Sequence, residues 1–209
     1  MKGKFVTFEG CEGVGKSRQI KLLEEYLITN GIKYYLTREP GGTAISEQIR
    51  NIILDGKNAA MTDECEALLY AAARAQLVKE EIAPRLDRGE LVFCDRYVDS
   101  SLAYQGKARG LGYDFVKRIN SFVFDRVMPD LTVFLNLSPE MAFKRKGGAD
   151  SADRVEVSGM EFHDKVYEGY LEIAAGAPER FAVIDASGTK AETHAKIVAA
   201  LKAKGIVPN

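Results

Sequence analysis

Residues 10–17 read GCEGVGKS, a complete G-x-x-x-x-G-K-[ST] pattern, and this stretch constrains the fold more than any other. Before it lies KFVTFEG (4–10), β-branched and aromatic, which predicts a strand. After it, residues 16–29 place Ile20, Leu23 and Leu27 near helical spacing, with Gly31 as a C-cap. Strand, glycine loop and helix in that order form a phosphate cradle. Glycines at 10, 13 and 15 let the backbone, Val14 included, turn its N–H groups toward phosphate oxygens. Lys16 is expected to neutralise β- and γ-phosphates and Ser17 to offer an oxygen to Mg2+, with the positive end of the helix behind them. An ordinary glycine turn would need neither flanking element. Glu12, a carboxylate inside an anion-binding loop, is the feature this reading leaves open.

The rest of the chain alternates strands with helices. Strands are predicted at 33–37, 91–95, 131–137 and 181–186. Helices are predicted at about 44–54, 63–87, 113–128, from Ser138-Pro139, from Gly159, and at 189–204. This pattern implies a parallel sheet covered on both faces, with ligands at the carboxyl ends of the strands. The stretches 10–17, 38–43, 95–106 and 185–188 all fall at such ends. No repeat or linker divides residues 1–209, so a single domain is expected.

Composition narrows the partners. A formal net charge of -1 gives no basic field for nucleic acid. No apolar run approaches the ~20 residues of a membrane span, and no leader is evident, so a soluble, cytoplasmic protein is expected. Cys11, Cys65 and Cys94 are scattered without metal-ligand spacing and read as reduced thiols.

The next question is what receives the phosphoryl group. No N-K-x-D stretch is present to read guanine, and the chain is short for a motor or transporter ATPase, which leaves small-molecule kinases. Asp95 ends an apolar strand, where a carboxylate beside a metal usually stands. Arg38, Arg74 and Arg96 cluster at the same predicted edge, and guanidinium forks suit a second phosphate. An acceptor phosphate is already ionised and asks for neutralisation, whereas a hydroxyl acceptor asks for a base. Glu39, in Arg38-Glu39-Pro40, is the candidate for that base. His163 and His194 lie on late helices and read as structural.

GCEGVGKS, TREPGGT (37–43), YAAAR (70–74), DRYVDSSLAYQG (95–106), the KR…DRVE stretch (144–156) and IDAS (184–187) together resemble bacterial thymidylate kinases, over about residues 4–200. The resemblance implies an α/β P-loop kinase fold, with a five-stranded parallel sheet flanked by helices and a short lid at about 144–156. It also implies a homodimeric enzyme using ATP and Mg2+ to convert dTMP to dTDP. By that similarity Arg96 lies between the two phosphates, Arg38 and Arg74 clamp the dTMP phosphate, and Tyr70 stacks on thymine. Ser101 and Gln105 bond the base, since an amide offers both a donor and an acceptor. Glu12 then faces the acceptor sugar, which resolves its presence in the loop.

The lid departs from the family pattern. Relatives without an arginine in the phosphate loop carry one in the lid centre, yet GGADSAD at 147–153 has no basic residue. Arg154, or alternatively Arg145, is the expected substitute, with Gly147-Gly148 as hinge. Two other readings remain at this point: a deoxynucleoside kinase with Glu39 as base, and a regulator that binds ATP without transferring phosphate.

Overall fold

The computed structural model describes residues 3–124, 126–146 and 158–208. Five strands form one sheet in the order β2-β3-β1-β4-β5, every pairing parallel. They are β1 (Lys4–Glu9), β2 (Tyr35–Arg38), β3 (Leu91–Asp95), β4 (Leu131–Asn136) and β5 (Phe181–Asp185). The helices, in chain order, are α1 (Lys16–Thr29), α2 (Ala44–Leu54), α3 (Asp63–Leu77), α4 (Ala83–Asp87), α5 (Val98–Ser101), α6 (Tyr113–Ile119), α7 (Ser121–Phe124), α8 (Pro139–Lys146), α9 (Met160–Gly176) and α10 (Lys190–Ala203).

The inner strands β1, β3 and β4 are largely apolar on both sides because both sides are covered. Val6 and Phe8 of β1 face one buried cluster with Leu23 of α1, Tyr170 of α9 and Leu201 of α10. Phe5, one residue out of phase, faces a second cluster with Leu77, Ile82 and Val123. The expected α/β architecture, a five-stranded parallel sheet between helices, is therefore the one observed. β1 lies at the centre, with β3 and β4 on either side, so the loop after it opens at the point where the strand order reverses.

Several element boundaries moved for identifiable reasons. The second strand runs from Tyr35 to Arg38, not 33–37, which carries Arg38 into the ladder beside Asp95. The helix expected over 63–87 is α3 and α4 joined by a π-helical turn at Val78–Ile82. Pro84 lacks the N–H and crowds the carbonyl four residues back, and a wider turn just before it relieves both problems. The helix expected over 113–128 breaks at Asn120 into α6 and α7. Asn120 is fully buried; its amide nitrogen donates to Val116 O at 2.9 Å and its amide oxygen accepts from Arg74 at 2.7 Å. The short α5 and the π-helical Leu102–Ala108 after it were not anticipated. At the other end of the chain, Thr189 and Glu192 form a capping box that fixes the start of α10.

Candidate active site

The loop between β1 and α1 is set by backbone that only glycine tolerates. Gly10 has φ of 142°, and a Cβ there would sit 2.9 Å from the carbonyl oxygen of Leu135 on β4. The chain is thereby pressed against the sheet and its amides turn outward. Lys16 folds back over this loop, its Nζ donating to the carbonyls of Gly10 (3.0 Å) and Cys11 (3.2 Å). Burial, then the charge of Arg96, lowers the Lys16 pKa, with Glu12 opposing.

Two cavities adjoin this loop, and both are lined by Glu12, Lys16 and Ser17. The second is completed by Gly13, Val14, Gly15 and Arg145, and by Gly188, Lys190 and Thr193 of the β5–α10 segment. Arg145 is laid along that segment by donating to the carbonyls of Ala186 and Ser187. It is therefore tied to the base of this cavity and does not hang from a lid centre. Arg154 and the Gly147-Gly148 hinge lie outside the described residues.

The first cavity lies over the carboxyl ends of β2 and β3. Arg38, Glu39, Tyr70, Asp95, Arg96 and Gln105 are on its wall. Arg38 projects from the end of β2, half exposed, and is gripped by both oxygens of Glu47 at 2.8 and 3.0 Å. Glu47, in the first turn of α2, also accepts from the Gly42 amide at 2.8 Å, so the Pro40-Gly41-Gly42 turn and Arg38 share one anchor. Tyr70 is half-buried on this wall and does not fill the core.

Arg96 is the most elaborately held cation. Its φ of 67° lies in the left-handed region, where a residue with a Cβ is strained. Its guanidinium pairs with Glu12 and donates to Gly10 O (3.1 Å), Tyr170 OH (3.2 Å) and Ser100 Oγ (3.3 Å). Burial opposes its charge, but Glu12, Tyr104, Tyr170 and Asp95 outweigh that and raise its pKa well above the usual arginine value. The Glu12 side chain thus turns toward the first cavity, with Tyr104 OH 3.4 Å away.

Two of the expected site residues stand apart from the cavities. Arg74 and Ser101 are not on the wall of either cavity. Arg74 is 1% exposed, and its donors are committed to Glu39 (2.7 Å), Asn120 (2.7 Å), Tyr97 O (3.2 Å) and Ser101 Oγ (3.0 Å). It acts as an anchor behind the wall, where a phosphate clamp was expected. The Ser101 hydroxyl accepts from the same guanidinium. Gln105 is on the wall, but one amide hydrogen is taken by Glu66 at 2.8 Å. The sequence reading also missed Arg50 of α2, Ser100 and Tyr104, all of which line this cavity. Arg50 donates to Pro40 O at 2.9 Å, and it is the third arginine on this wall beside Arg38 and Arg96. Its signal was its place in the helix that follows TREPGGT.

The site fits Mg2+. Asp95 Oδ1 is buried without a hydrogen-bond partner among the described residues, on the same wall as Ser17, and a carboxylate with a hydroxyl is the oxygen donor set that Mg2+ shares with phosphates. Glu39 also keeps one oxygen, Oε1, without a partner; burial pushes its pKa up to about 7, with Arg74 opposing. His163 and His194 pack edge-on to Phe143 and Tyr26 and line neither cavity.

Comparison with known proteins agrees with this geometry. Residues 8–197 match the family model described as thymidylate kinase. The thymidylate kinase of Thermoanaerobacter sp. (strain X514) is 46% identical over 202 residues, covering 97% of this chain and 98% of the relative. That of Clostridium novyi (strain NT) is 48% identical over 188 residues, covering 89% and 92%. That of Bacillus pumilus (strain SAFR-032) is 46% identical over 200 residues, covering 95% and 94%. No relative among these is a nucleoside kinase, so the alternative with Glu39 as general base has no support. A phosphate loop beside two cavities, on a parallel sheet of this order and with relatives of this length and identity, leads to one assignment: the chain belongs to the thymidylate kinase family.

Proposed function

We propose that the protein transfers the γ-phosphoryl group of ATP to the phosphate of dTMP, giving ADP and dTDP. The observation that carries this reading is the pair of cavities that meet at Glu12, Lys16 and Ser17. The donor occupies the side bounded by Arg145 and the β5–α10 segment, and dTMP the side bounded by Arg38, Arg50 and Tyr70. An oxygen of the dTMP phosphate attacks the γ-phosphorus while the bond to the ADP oxygen breaks. No proton need be removed from the acceptor, so the chain's task is alignment and charge neutralisation.

Each residue then has a defined part. The amides of Gly10, Gly13, Val14 and Gly15 cradle the donor phosphates with Lys16. Arg96 sits between donor and acceptor phosphates, and Arg38 and Arg50 hold the acceptor phosphate from the other side. Tyr70 stacks on thymine, Gln105 accepts from its N3–H, and Glu12 faces the sugar. Ser17 and Asp95 would hold Mg2+, which supplies further neutralisation of the phosphates when bound. Arg154, in a lid at about 144–156 of a single 1–209 domain, brings a last positive charge to the transferring group.

Two further features belong to this reading. Ile45 and Ile52 of α2 and Leu68 of α3 are exposed apolar side chains and give a homodimer an apolar surface to bury. Among the described residues no helix is long and apolar enough to cross a membrane, which is compatible with work in the cytoplasm on soluble nucleotides.

The test is ADP release with Mg-ATP and a panel of thymidine, dTMP, dUMP, dCMP, AMP and GMP. Turnover on dTMP well above the others is expected. Turnover on thymidine with dTMP silent would overturn the reading. For the lid, Arg154→Ala is expected to lower kcat at least about tenfold, equal to ~1.4 kcal/mol of barrier; a change under threefold removes Arg154 from the mechanism.

A further inference from the structure

Glu9 closes β1 one residue before the phosphate loop, is 0% exposed, and lines neither cavity. A carboxylate in that position must be matched, and it is. Oε1 accepts from the Tyr97 amide at 2.8 Å. Oε2 accepts from two hydroxyls, Ser100 Oγ at 2.6 Å and Tyr170 OH at 2.8 Å. These same two hydroxyl oxygens, 2.9 Å from each other, are the acceptors for Arg96 Nη1. Asp99, whose charge also acts on Glu9, is occupied by Arg180 at 2.6 and 2.9 Å and by Thr132.

We propose that Glu9 is a positioning residue for Arg96, acting through Ser100 and Tyr170. The reason lies in proton count. A hydroxyl has one proton and two lone pairs, an ionised carboxylate only accepts, and a guanidinium only donates. With both hydroxyl protons committed to Glu9 Oε2, both oxygens present lone pairs to Arg96. Among the described residues nothing else on the guanidinium's inner side enforces that order, since Gly10 O shares the two hydrogens of the same Nη1 with these hydroxyls and Glu12 holds Nη2. The strained left-handed backbone of Arg96 is the kind of local cost that persists where the surroundings fix one arrangement. Burial, then Asp99, pushes the Glu9 pKa up to about 7, so the carboxylate is mostly ionised in an assay at about pH 8.

The inference rests on the assignment of Arg96 to the reacting phosphates, and its test separates the two ideas. Glu9→Gln keeps the shape but brings an amide donor, which forces one hydroxyl to aim its proton at Arg96. At about pH 8 with dTMP, Glu9→Gln is expected to lower kcat about tenfold, with KM for ATP little changed. In an Arg96→Lys background the same substitution is expected to add less than about twofold. Equal losses in both backgrounds, or no loss in either, would make Glu9 structural and overturn the proposal. Tyr170→Phe, which leaves Glu9 in place, is expected to show the same coupling to Arg96. A readout without turnover is rotation about the Arg96 Nε–Cζ bond followed by NMR, slow in the starting protein and fast in Glu9→Gln. Unchanged rotation sinks the positioning role, even if dTMP turnover stands; loss of the dTMP reading alone leaves the rotation result intact.

Discussion

Lys16 Nζ and Arg96 Nη1 donate to the same oxygen, the carbonyl of Gly10, at 3.0 and 3.1 Å. Two cations converging on one acceptor repel each other, and Arg96 accordingly contributes to lowering the Lys16 pKa. An anion bridging them turns that repulsion into attraction, which suits a phosphoryl group whose charge develops between donor and acceptor. Lys16→Met is expected to reduce kcat with dTMP by about 10²–10³-fold, the range for removing one preorganised donor. Steady-state ADP release checks this, and a loss under tenfold would place Lys16 outside the transition-state contacts.

Arg38 is prepared for an anion by Glu47 and not by the sheet. Its side chain is half exposed, so the ion pair itself is worth at most about 1 kcal/mol after solvent screening. What Glu47 adds is orientation, shared with the Gly42 amide. Glu47→Ala is expected to raise KM for dTMP severalfold, about 1 kcal/mol of binding, with kcat within twofold. A change confined to kcat would contradict a role in holding the acceptor.

Arg74 and Glu39 form a buried pair, 1% and 3% exposed at the side chain. Removing one partner leaves a buried charge uncompensated, which costs about 3–5 kcal/mol. Arg74→Met should therefore appear first as lost stability in urea unfolding, and retention of the midpoint would show that Asn120, Tyr97 and Ser101 do not depend on it.

Glu9 makes stability depend on pH. Its pKa is raised from 4.5 to about 7, so the folded state keeps a proton that the unfolded chain releases in between. Stability from this group is full below about pH 4.5 and is lost as pH rises through about 7, by up to about 3 kcal/mol. Urea unfolding at pH 5, 6, 7 and 8 is expected to show that decline, and Glu9→Gln should make it shallower, the remainder coming from Glu39, whose pKa burial also raises to about 7. An identical slope in the two proteins would mean that Glu9 does not titrate in this window. The positioning of Arg96 is thus set against a stability cost, as expected for a buried carboxylate near a reactive centre.

The sequence by itself determined the frame and the chemistry at the loop. Local patterns are enough for that: an apolar strand, glycines at fixed offsets and a helix at 3.6-residue spacing leave GCEGVGKS one role. The inner strands were legible because strands buried on both faces are near-continuous apolar runs, and the edge strands because β-branched and aromatic residues stand between turn signals. Tertiary structure decided which polar groups face the cavities and which stand behind them. Arg38 and Arg74 look alike in sequence, each beside an apolar or glycine-rich stretch, yet one projects from a strand end and the other is sunk into the wall by Glu39 and Asn120. The break at Asn120 has the same origin, since a long-range acceptor bond to Arg74 outweighs helix propensity. Glu9, Ser100, Tyr170 and Arg96 stand 9, 100, 170 and 96 residues along the chain. No sequence window contains all four, and their hydrogen bonds exist only because β1, the β3–α5 turn and α9 meet behind one loop.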